Sequence, residues 1–514
     1  MSGNTIKYNS AGRGAGMSAF TFRGSVSNNL MEGNFSNAVL GKGGGLYVEA
    51  TSPTVTGNTM AGNSARAGGG LALVRTSATV TGNTIAEGNS GTLGGGVYLA
   101  NSSASLTNNT IAHNLSDRHG GGIYAEQGSS PILTGNTIST NSAVGIGGGL
   151  YIAGDSFVEL DGDTIVGNSA GRGGGLDVSG NSFVILSNST VASNSATGAD
   201  PVRAGGVSVW GGTAILTGNT ISDSIGYGID VRGVSQISIQ GDQISGSSKH
   251  GIYCANAAGE VAGASIYGNG GDGVAVRGDG RLTVSQCSIY DNGGLGIDLN
   301  DDGVTANDED DLDSGPNDLL NFPEFTTRDV VGNTATFCGV APAWATVEVF
   351  AAALDPTGYG EGMRYVESAT ADADRNFTLS VSLWDLPVTA TATDADGNTS
   401  EFSLVPALYA IPVAIDIKPG SDPNAAINND GNGVIPVAVL GTADFDVSVI
   451  LVDTVWLQGM SVRAVGKANK LLWHYEDVNG DGFDDLLVQI EDVDGALAEG
   501  ATMATLTAET LLDD

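Results

Sequence analysis

The sequence predicts an all-β protein, in which a parallel β-helix of about 12 coils precedes two small β-sandwich-like domains. Three observations predict this class: one cassette recurs through about the first 300 residues, its segments alternate apolar and polar residues, and glycine is very frequent. The 79 glycines follow no three-residue period, and charged residues make up only 15% of the chain. Collagen and intrinsic disorder are therefore both excluded.

The repeated cassette reads GNTI, then Asn-Ser, then three glycines followed by an apolar, a variable and an apolar residue. Its period is mostly 22 to 27 residues, the length of one solenoid coil. Segments such as Leu46-Tyr47-Val48 alternate with period two and none shows helical periodicity, which excludes leucine-rich and helical repeats. The glycine that directly precedes the apolar triplet of each coil falls at Gly16, Gly45, Gly70, Gly96, Gly122, Gly149, Gly175, Gly206, Gly228, Gly251, Gly273 and Gly296.

Two series of mostly asparagine residues keep nearly the same step along the chain. Stacked coils would place equivalent residues about 4.8 Å apart, so their side chains are predicted to form hydrogen-bonded ladders. The first series is Asn63, Asn89, Asn114, Asn141, Asn168 and Asn194. The second series is Asn58, Asn83, Asn109, Asn136, Asp163, Asn188, Asn219 and Asp242.

The GGGLY and GNTIxxNSA cassettes resemble those of right-handed parallel β-helix repeat proteins of the pectin-lyase-like type, such as the polymorphic outer-membrane proteins. The resemblance covers about 60% of the chain and implies a right-handed helix. It leaves the activity open, because that scaffold carries lyases, hydrolases, epimerases, adhesins and structural surface proteins.

The pattern changes after residue 297 and divides the chain into four regions. The helix is predicted over 1–297 and an acidic connector over 298–320. Residues 321–406 alternate as short strands with Asp-rich turns and resemble a bacterial immunoglobulin-like module. Residues 411–514 open with AIDIKPGSDPN, which resembles the start of a C-terminal module of secreted proteins.

The formal net charge of −37 is concentrated in the later regions, since residues 1–297 hold 13 basic and 18 acidic groups. Such a chain would repel nucleic acid and anionic membranes and attract divalent cations, as suits an extracellular or cell-surface protein. No apolar run is long enough for a membrane span and no signal peptide is present. Because Met1 is followed at once by a repeat, we expect the start to be truncated. Cys254, Cys287 and Cys338 are expected to be free thiols.

A calcium loop is predicted in the C-terminal region, in the segment DVNGDGFDD. Oxygen donors stand at positions 1, 3, 5 and 9, glycine makes the turn at position 6, and position 7 can offer its carbonyl. Position 12 is Val488 where an EF-hand requires glutamate, so the loop resembles the calcium loops of FG-GAP repeats. The expected Ca²⁺ ligands are Asp477, Asn479, Asp481, Phe483 and Asp485. The alternative is an acidic hairpin turn without metal.

The acidic connector offers a second candidate calcium site, because so many close carboxylates repel one another unless a cation or water screens them. A solvated linker is the alternative. The residues are Asp298, Asn300, Asp302, Asp308, Asp310 and Asp313.

A binding face is predicted from the variable residue of the apolar triplet, which strand alternation turns away from the core. From Gly45 onward this residue is Tyr47, Ala72, Tyr98, Tyr124, Tyr151, Asp177, Ser208, Asp230, Tyr253, Ala275 and Asp298. A basic strip precedes the corners at Arg13, Lys42, Arg66, Arg118, Arg172 and Arg203. Tyrosine rings stack on sugars and arginine forks bind carboxylates or sulfates, so the strips predict a glycan groove. Its candidate ligand-binding residues are Tyr98, Tyr124, Tyr151, Arg118 and Arg172.

The alternatives to a glycan groove are surface residues without a role, and an enzyme of the polysaccharide lyase, epimerase or glycoside hydrolase type. An inverting hydrolase needs two carboxylates about 6.5–9.5 Å apart. Asp177 and Asp230 would be separated by about 9.6 Å on one strip. His119 with Arg118, or Tyr124 and Tyr151, could instead supply a base. A non-enzymatic protein that binds glycans or other surface partners is the favoured interpretation.

Overall fold

The computed structural model is all-β and forms two compact units. The first comprises Met1–Thr327, Phe337–Leu379 and Pro387–Pro406, and the second comprises Arg328–Thr336, Ser380–Leu386 and Ala407–Asp514. The described residues are 1–198, 203–309, 311–331, 334–353, 357–382, 385, 387–405, 413–421, 433–443, 445–467, 469–493, 496 and 504–510.

Residues 5–299 form the predicted parallel β-helix, whose coils contribute short strands to four parallel sheets, here numbered I to IV in the order in which a coil visits them. Sheet I has 12 strands: Thr5–Lys7, Leu30–Glu32, Thr59–Ala61, Thr84–Ala86, Thr110–Ala112, Thr137–Ser139, Thr164–Val166, Thr190–Ala192, Thr220–Ser222, Gln243–Ser245, Ser265–Tyr267 and Ser288–Tyr290. Among the described residues, sheet II has 8 strands: Ser10–Ala11, Phe35–Ser36, Ser64–Ala67, Ser90–Leu93, Leu115–His119, Ser142–Ile146, Ser169–Arg172 and Ser195–Ala196.

Sheet III has 12 strands: Met17–Phe20, Leu46–Glu49, Leu71–Val74, Val97–Ala100, Ile123–Glu126, Leu150–Ile152, Leu176–Ser179, Ala204–Trp210, Tyr227–Arg232, Ile252–Ala255, Val274–Arg277 and Ile297–Leu299. Sheet IV has 11: Ser25–Ser27, Thr54–Thr56, Thr79–Thr81, Ser105–Thr107, Ile132–Thr134, Phe157–Asp161, Phe183–Ser187, Thr213–Thr217, Gln236–Gln240, Ala258–Ala262 and Arg281–Ser285.

One continuous apolar core fills the helix, because alternate residues of every strand point inward. Leu71 and Leu73 of sheet III and Ile85 of sheet I are fully buried in it. Burial of each such side chain contributes about 1.5–3 kcal/mol, so the core is built coil by coil from equivalent increments. Cys254 and Cys287 are buried free thiols whose pKa burial raises to about 12, and Cys338 is also free.

The predicted asparagine ladders are present and buried. In the first ladder, Asn141 Nδ2 donates to Asn168 Oδ1 at 3.0 Å and Asn141 Oδ1 accepts from Asn114 Nδ2 at 2.9 Å. This ladder extends beyond the predicted range to Asn34 and Asn9. The second ladder passes through Ser189, which follows Asp163, because the predicted Asn188 points outward instead.

The glycine triplets form the corner between sheets II and III. A Cβ atom on Gly69 would lie 2.4 Å from the carbonyl oxygen of Ser90, and one on Gly95 would lie 2.2 Å from that of Leu115. Both carbonyls belong to sheet II, whose strands fold closely over the corner. Only glycine can occupy this middle position while sheet II is present.

Sheet II ends after eight strands because the coils become shorter. Ladder partners from Asn58 to Asp163 are separated by 25 to 27 residues, whereas Asn219 and Asp242 are separated by 23. The shorter coils contain no sheet II strand, and the middle corner glycine is then replaced by Tyr227, His250, Asp272 and Leu295.

Antiparallel sheets follow the helix. The part of 324–393 that the structure describes contains two three-stranded sheets, formed by Glu324–Val331, Thr334–Val340 and Asn376–Ser382, and by Thr346–Ala353, Glu361–Thr370 and Val388–Thr393. A 3₁₀ turn occupies Pro316–Leu319.

The second unit holds a four-stranded sheet of Ile415–Ile417, Val434–Val439, Asp485–Glu491 and Trp473–Glu476. It also holds a three-stranded sheet of Met460–Ser461, Ile450–Leu457 and Leu506–Thr510, a hairpin of Ala464–Val465 and Lys470–Leu471, and a 3₁₀ turn at Val447–Val449. Within the described residues, no helix is long and apolar enough to cross a membrane.

Candidate functional site

The outward side chains of sheet III form a single row along the helix, as strand alternation predicts. Tyr98 pairs in register with Tyr124, Tyr124 with Tyr151, and Tyr151 with Asp177. The row continues through Ser208 to Asp230 and Tyr253. We call this surface the outer face of sheet III.

The tyrosines of the first coils are buried on this face, which corrects the expectation that their rings are open to solvent. Tyr98 is 2% and Tyr124 is 7% exposed. Tyr124 and Tyr151 stack with ring centroids 5.0 Å apart, and Tyr98 lies 6.0 Å from Tyr124. The cause is sheet II, which covers this side of the corner and packs Ala67 and Leu93 against the rings.

The hydroxyl groups of these tyrosines are fixed by one carboxylate. Tyr98 and Tyr124 both donate to Glu126, at 2.5 and 2.8 Å. Burial and the neighbouring Glu126 raise the pKa of both hydroxyls far above the ordinary value. Neither hydroxyl can therefore act as a base near neutral pH.

His119 and Arg118 diverge from each other in the sheet II strand Leu115–His119. Arg118 is exposed, whereas the ring of His119 is half-buried, 5.3 Å from the ring of Tyr151. Burial, and secondarily Arg118, lower the pKa of His119, so it is neutral at physiological pH. Its Nδ1 atom is buried and lacks a hydrogen-bond partner within the described structure.

Arginine and tryptophan side chains converge where sheet II ends. The guanidinium carbons of Arg172 and Arg203 each lie 4.9 Å from the ring centroid of Trp210, which is 38% exposed. Arg232 is the register neighbour of Trp210, and its guanidinium lies over the ring of Tyr253 at 4.6 Å. We call Arg172, Arg203, Trp210 and Arg232 the Trp210 cluster.

Two buried carboxylates form hydrogen-bonded ion pairs with two arginines of this cluster. Arg172 donates from Nε and Nη2 to Asp177 at 2.7 and 3.1 Å, and Arg232 Nε donates to Asp230 at 2.6 Å. Burial raises the pKa of both Asp177 and Asp230. Asp230 is 1% exposed, and its Oδ2 has no hydrogen-bond partner among the described atoms. With Ser208 on the rung between them, the carboxylates are about 9.6 Å apart by strand spacing.

The corner of the short coils carries a second ionisable group of residues. His250 stacks on Tyr227 with centroids 5.2 Å apart, and its Nδ1 accepts the backbone N–H of Asp272 at 2.9 Å. His250 Nε2 lies 3.4 Å from Asp301 Oδ1, and Arg277 lies 3.4 Å from Asp301 Oδ2. His250 Nδ1 also lies 3.0 Å from Asp272 Oδ2, so the ring stands between the carboxylates of Asp272 and Asp301. These contacts fasten the chain that leaves the last coil.

The acidic connector separates into two groups. Asp298 accepts the backbone N–H groups of Asp302 and Gly303, and burial raises its pKa to about 6. Asn300 donates to Asp302 at 2.9 Å. The predicted Asp310 lies outside the described residues.

The other group joins the predicted Asp308 and Asp313 with Asp311, and ligand atoms of the three lie within 4.8 Å of one another. Burial, and secondarily the neighbouring carboxylates, raise the pKa of Asp313. This spacing would suit a hard cation with oxygen ligands.

The predicted calcium loop is a tight turn before the strand Asp485–Glu491. Asp477 accepts the backbone N–H groups of Gly480, Asp481 and Gly482, so its carboxylate faces into the loop. Asn479 Oδ1 accepts the N–H of Asp481, and Asp481 Oδ1 accepts that of Phe483.

Asp485 is fully buried beneath the loop and accepts the N–H groups of Gly441 and Val478 at 2.8 and 2.9 Å. The inward-facing oxygens of Asp477, Asn479 and Asp481 fit the donor set of Ca²⁺.

The four stacked sheets, the continuous core and the buried ladders define a parallel β-helix protein. A family model described as the right-handed β-helix region matches residues 25–196 and 205–312. The chain belongs to that family.

Several solved tailspike proteins are similar to this chain. The Dettilon tailspike protein is 9% identical, over 95% of this chain and 85% of that chain, with a TM-score of 0.33. A tailspike protein of E. coli bacteriophage HK620, solved with a hexasaccharide, is 9% identical over 71% and 72% of the two chains, with a TM-score of 0.31.

The tailspike protein of Acinetobacter baumannii bacteriophage Fri1, a capsular polysaccharide depolymerase, is 9% identical over 70% and 77%, with a TM-score of 0.20. Likenesses this distant say nothing about what this chain binds. No curated protein matches the sequence.

Proposed function

We propose that this protein is an extracellular or cell-surface β-helix protein that binds glycans on the outer face of sheet III. The observation that carries the proposal is the Trp210 cluster, in which an exposed indole and fixed guanidinium groups stand together. Sugars are bound in proteins by aromatic rings together with a few fixed polar groups, and this cluster supplies both.

The residues predicted from the sequence divide between two roles in this proposal. Arg172 belongs to the Trp210 cluster, and the exposed Arg118 stands further along the same side of the helix. Tyr98, Tyr124 and Tyr151 form the packed base that holds the corner rigid. A rigid scaffold reduces the entropy lost on binding, so the buried rings support a site without contacting the ligand.

A glycan array probed with the full chain tests this function. Wild type should bind a subset of glycans, and Trp210→Ala should weaken that binding by about tenfold or more, as expected for loss of a central aromatic contact. Trp344→Ala is the matched control, because Trp344 is 66% exposed but lies beyond the β-helix. Identical array profiles for wild type and Trp210→Ala, with the variant's melting temperature preserved, would refute the proposal.

Hydrolysis of a polysaccharide is the second candidate function. It is favoured by the unpartnered Oδ2 of Asp230, since a carboxyl with a raised pKa can act as a general acid, with Asp177 as the partner carboxyl. It ranks second because both carboxyls are almost fully buried and paired with arginines. If the protein is a hydrolase, wild type will release reducing ends from a glycan that it binds, and Asp230→Asn will abolish release while retaining binding.

Calcium completes the proposal. We propose that Asp477, Asn479, Asp481, the carbonyl of Phe483 and Asp485 bind Ca²⁺ and stabilise the second unit. The support is the inward orientation of the first three side chains. The ion would act on stability, because the loop contains no group placed for catalysis.

A further inference from the structure

His250 lies between two carboxylates at the corner of the short coils. Its Nδ1 is 3.0 Å from Asp272 Oδ2, and its Nε2 is 3.4 Å from Asp301 Oδ1. Asp272 occupies the same corner position one coil later, and Asp301 follows the last strand of sheet III. One side chain from each of two coils and one from the acidic connector therefore meet at one place.

These three side chains offer the ligand atoms of a metal site. One nitrogen or oxygen atom from each residue lies within 4.8 Å of the other two. Zinc is bound by histidine nitrogen at about 2.0–2.1 Å and by carboxylate oxygen at about 2.0–2.2 Å, so two ligands of one ion stand about 3–4 Å apart. Both nitrogen–oxygen distances at His250 are in this range, and a small side-chain rotation would bring the third ligand to the same ion.

Neighbouring groups orient the two carboxylates. Asp272 is buried, and its Oδ1 accepts the N–H of Leu295 at 2.9 Å, which leaves Oδ2 beside the ring of His250. Asp301 Oδ2 lies 3.4 Å from Arg277 Nη1, which leaves Oδ1 on the side of the ring. Partners of this kind orient the ligands of metal sites in proteins.

Aromatic stacking holds the ring of His250 in place. The ring is half-buried and stacks on Tyr227 and Tyr253, with centroids 5.2 and 6.0 Å away and interplanar angles of 12° and 18°. A ring and carboxylates that are already fixed lose little side-chain entropy when they bind an ion.

Negative charge predominates around the ring. Asp298 is so close that the charges of Asp272 and Asp301 add to the effect of burial in raising its pKa. The three carboxylates stand against one guanidinium group, that of Arg277, which leaves two negative charges in excess. A proton on His250 would balance one of them, whereas a divalent ion bound by the neutral ring would balance both.

We propose that His250, Asp272 and Asp301 bind a divalent transition-metal ion of the Zn²⁺ class. An imidazole ligand favours Zn²⁺ over Ca²⁺ and Mg²⁺, which take oxygen ligands. The ion joins two neighbouring coils to the acidic connector and so stabilises the end of the β-helix. This site shares no ligand with the calcium loop and does not depend on glycan binding.

Calorimetric titration of the full chain with Zn²⁺ tests the proposal, with excess Ca²⁺ present to occupy the calcium loop. Wild type should bind one Zn²⁺ tightly, and the ion should raise the melting temperature. His250→Phe keeps a ring to stack on Tyr227 but removes both nitrogens, so it should weaken Zn²⁺ binding by about tenfold or more. Asp301→Asn should weaken binding in the same direction and leaves the contacts of Asp272 intact.

His113→Phe and His474→Phe are the matched controls. Both histidines are exposed, and His474 Nε2 lies 3.2 Å from Glu476 Oε2, so that pair offers an alternative place for the ion. Both control variants should retain the affinity of wild type.

Absence of Zn²⁺ binding by wild type would overturn the proposal, and so would an unchanged affinity in His250→Phe. Binding that is lost in His474→Phe would place the ion at the exposed pair and overturn it too. If His250→Phe melts far below wild type in EDTA, Asp301→Asn decides, and wild-type affinity in that variant would refute the site.

Discussion

Glu361 takes the place of the next asparagine beyond the end of the β-helix. The backbone N and Nδ2 of Asn292 lie 3.3 and 3.0 Å from Glu361 Oε1, as Asn269 Nδ2 lies 3.0 Å from Asn292 Oδ1 one coil earlier. The carboxylate thus continues the Asn269–Asn292 ladder of the last coils from a strand of the following module.

Other side chains close the same end. Gln286 N donates to Glu348, Leu299 N donates to Glu401, and Leu282 N donates to Asn317. Because an open edge of parallel strands would otherwise present unpaired backbone groups, the module caps the helix with its side chains.

We predict that Glu361→Ala will lower the free energy of unfolding by about 1–3 kcal/mol, because the Asn292 amide groups lose a buried acceptor. Chemical denaturation of the full chain, followed by circular dichroism, would measure the loss. Glu367→Ala, at an exposed position of the same strand, is the control and should change little. Equal effects of the two changes would mean that Glu361 does not cap the ladder.

Asp163→Asn should stabilise the protein, and increasingly so as pH rises. Asp163 occupies a ladder position between Asn136 and Ser189, its Oδ2 lacks a partner within the described structure, and burial raises its pKa to about 6. The native state therefore holds a proton between pH about 4 and 6 that the unfolded state has released, so wild-type stability falls as pH rises through this window. An amide has no charge to bury and can donate to a backbone carbonyl, as Asn136 does to Leu106.

Asp163→Asn is expected to raise the free energy of unfolding by almost nothing at pH 4 and by up to about 3 kcal/mol at pH 8, as the size of the pKa shift implies. Unfolding free energies at both pH values would measure it. Asp242→Asn is the control, because Asp242 Oδ2 already accepts the N–H of Gln240 and an amide nitrogen there would face a donor. A variant no more stable than wild type at pH 8 would contradict the prediction.

Asn141→Leu should cost far more stability than Asn9→Leu. Asn141 lies mid-ladder, and its loss would leave donors of Asn114 and the carbonyl of Ile111 buried without partners. We expect a loss of about 2–5 kcal/mol there, and below about 1 kcal/mol at the exposed first rung, Asn9. Thermal melting of both variants would show the difference, and similar small losses would exclude a cooperative ladder.

Calcium should raise the melting temperature of the second unit, and Asp481→Ala should remove the effect. Binding to the native state alone contributes about 2.7 kcal/mol at a hundredfold excess of ion over Kd. Calorimetry of the full chain with Ca²⁺ and with EDTA would resolve the transition. Asp453→Ala, also exposed in this unit, should keep the calcium response. A transition indifferent to both Ca²⁺ and EDTA would exclude the site.

The fold could be predicted from the sequence because each coil repeats the same local rule. Gly45 and Gly70 mark the corners, and the Asn141 series marks a ladder. The structure inferred for one cassette therefore applies to every coil. The register error at Asn188 has a simple cause: the neighbouring Ser189 accepts the N–H of Asp163 through Oγ and donates its own N–H to Asn219, so it preserves the ladder without an amide.

The site was less accessible to sequence reasoning, because burial on the outer face of sheet III depends on sheet II. The alternation of apolar and polar residues along the strands correctly predicted that Tyr98 and Tyr124 point away from the core. It could not show that a neighbouring sheet covers them. Trp210 and Arg232 lie two residues beyond the variable position of their strands and were missed for that reason. The loss of the GGG triplet before Gly228 was the available signal that the corner opens there.

The replacement of the middle corner glycine by Tyr227, His250 and Asp272 shows how this architecture gains new chemistry. Coils that are a few residues shorter lack a sheet II strand, and every position that the strand had restricted to glycine can then carry any side chain. Loss of a short segment, rather than replacement of a residue, is thus the step after which the middle corner position can accept side chains other than glycine. A designer who trims one long coil in the same way would create a vacant, rigidly held position for a histidine or carboxylate without disturbing the core.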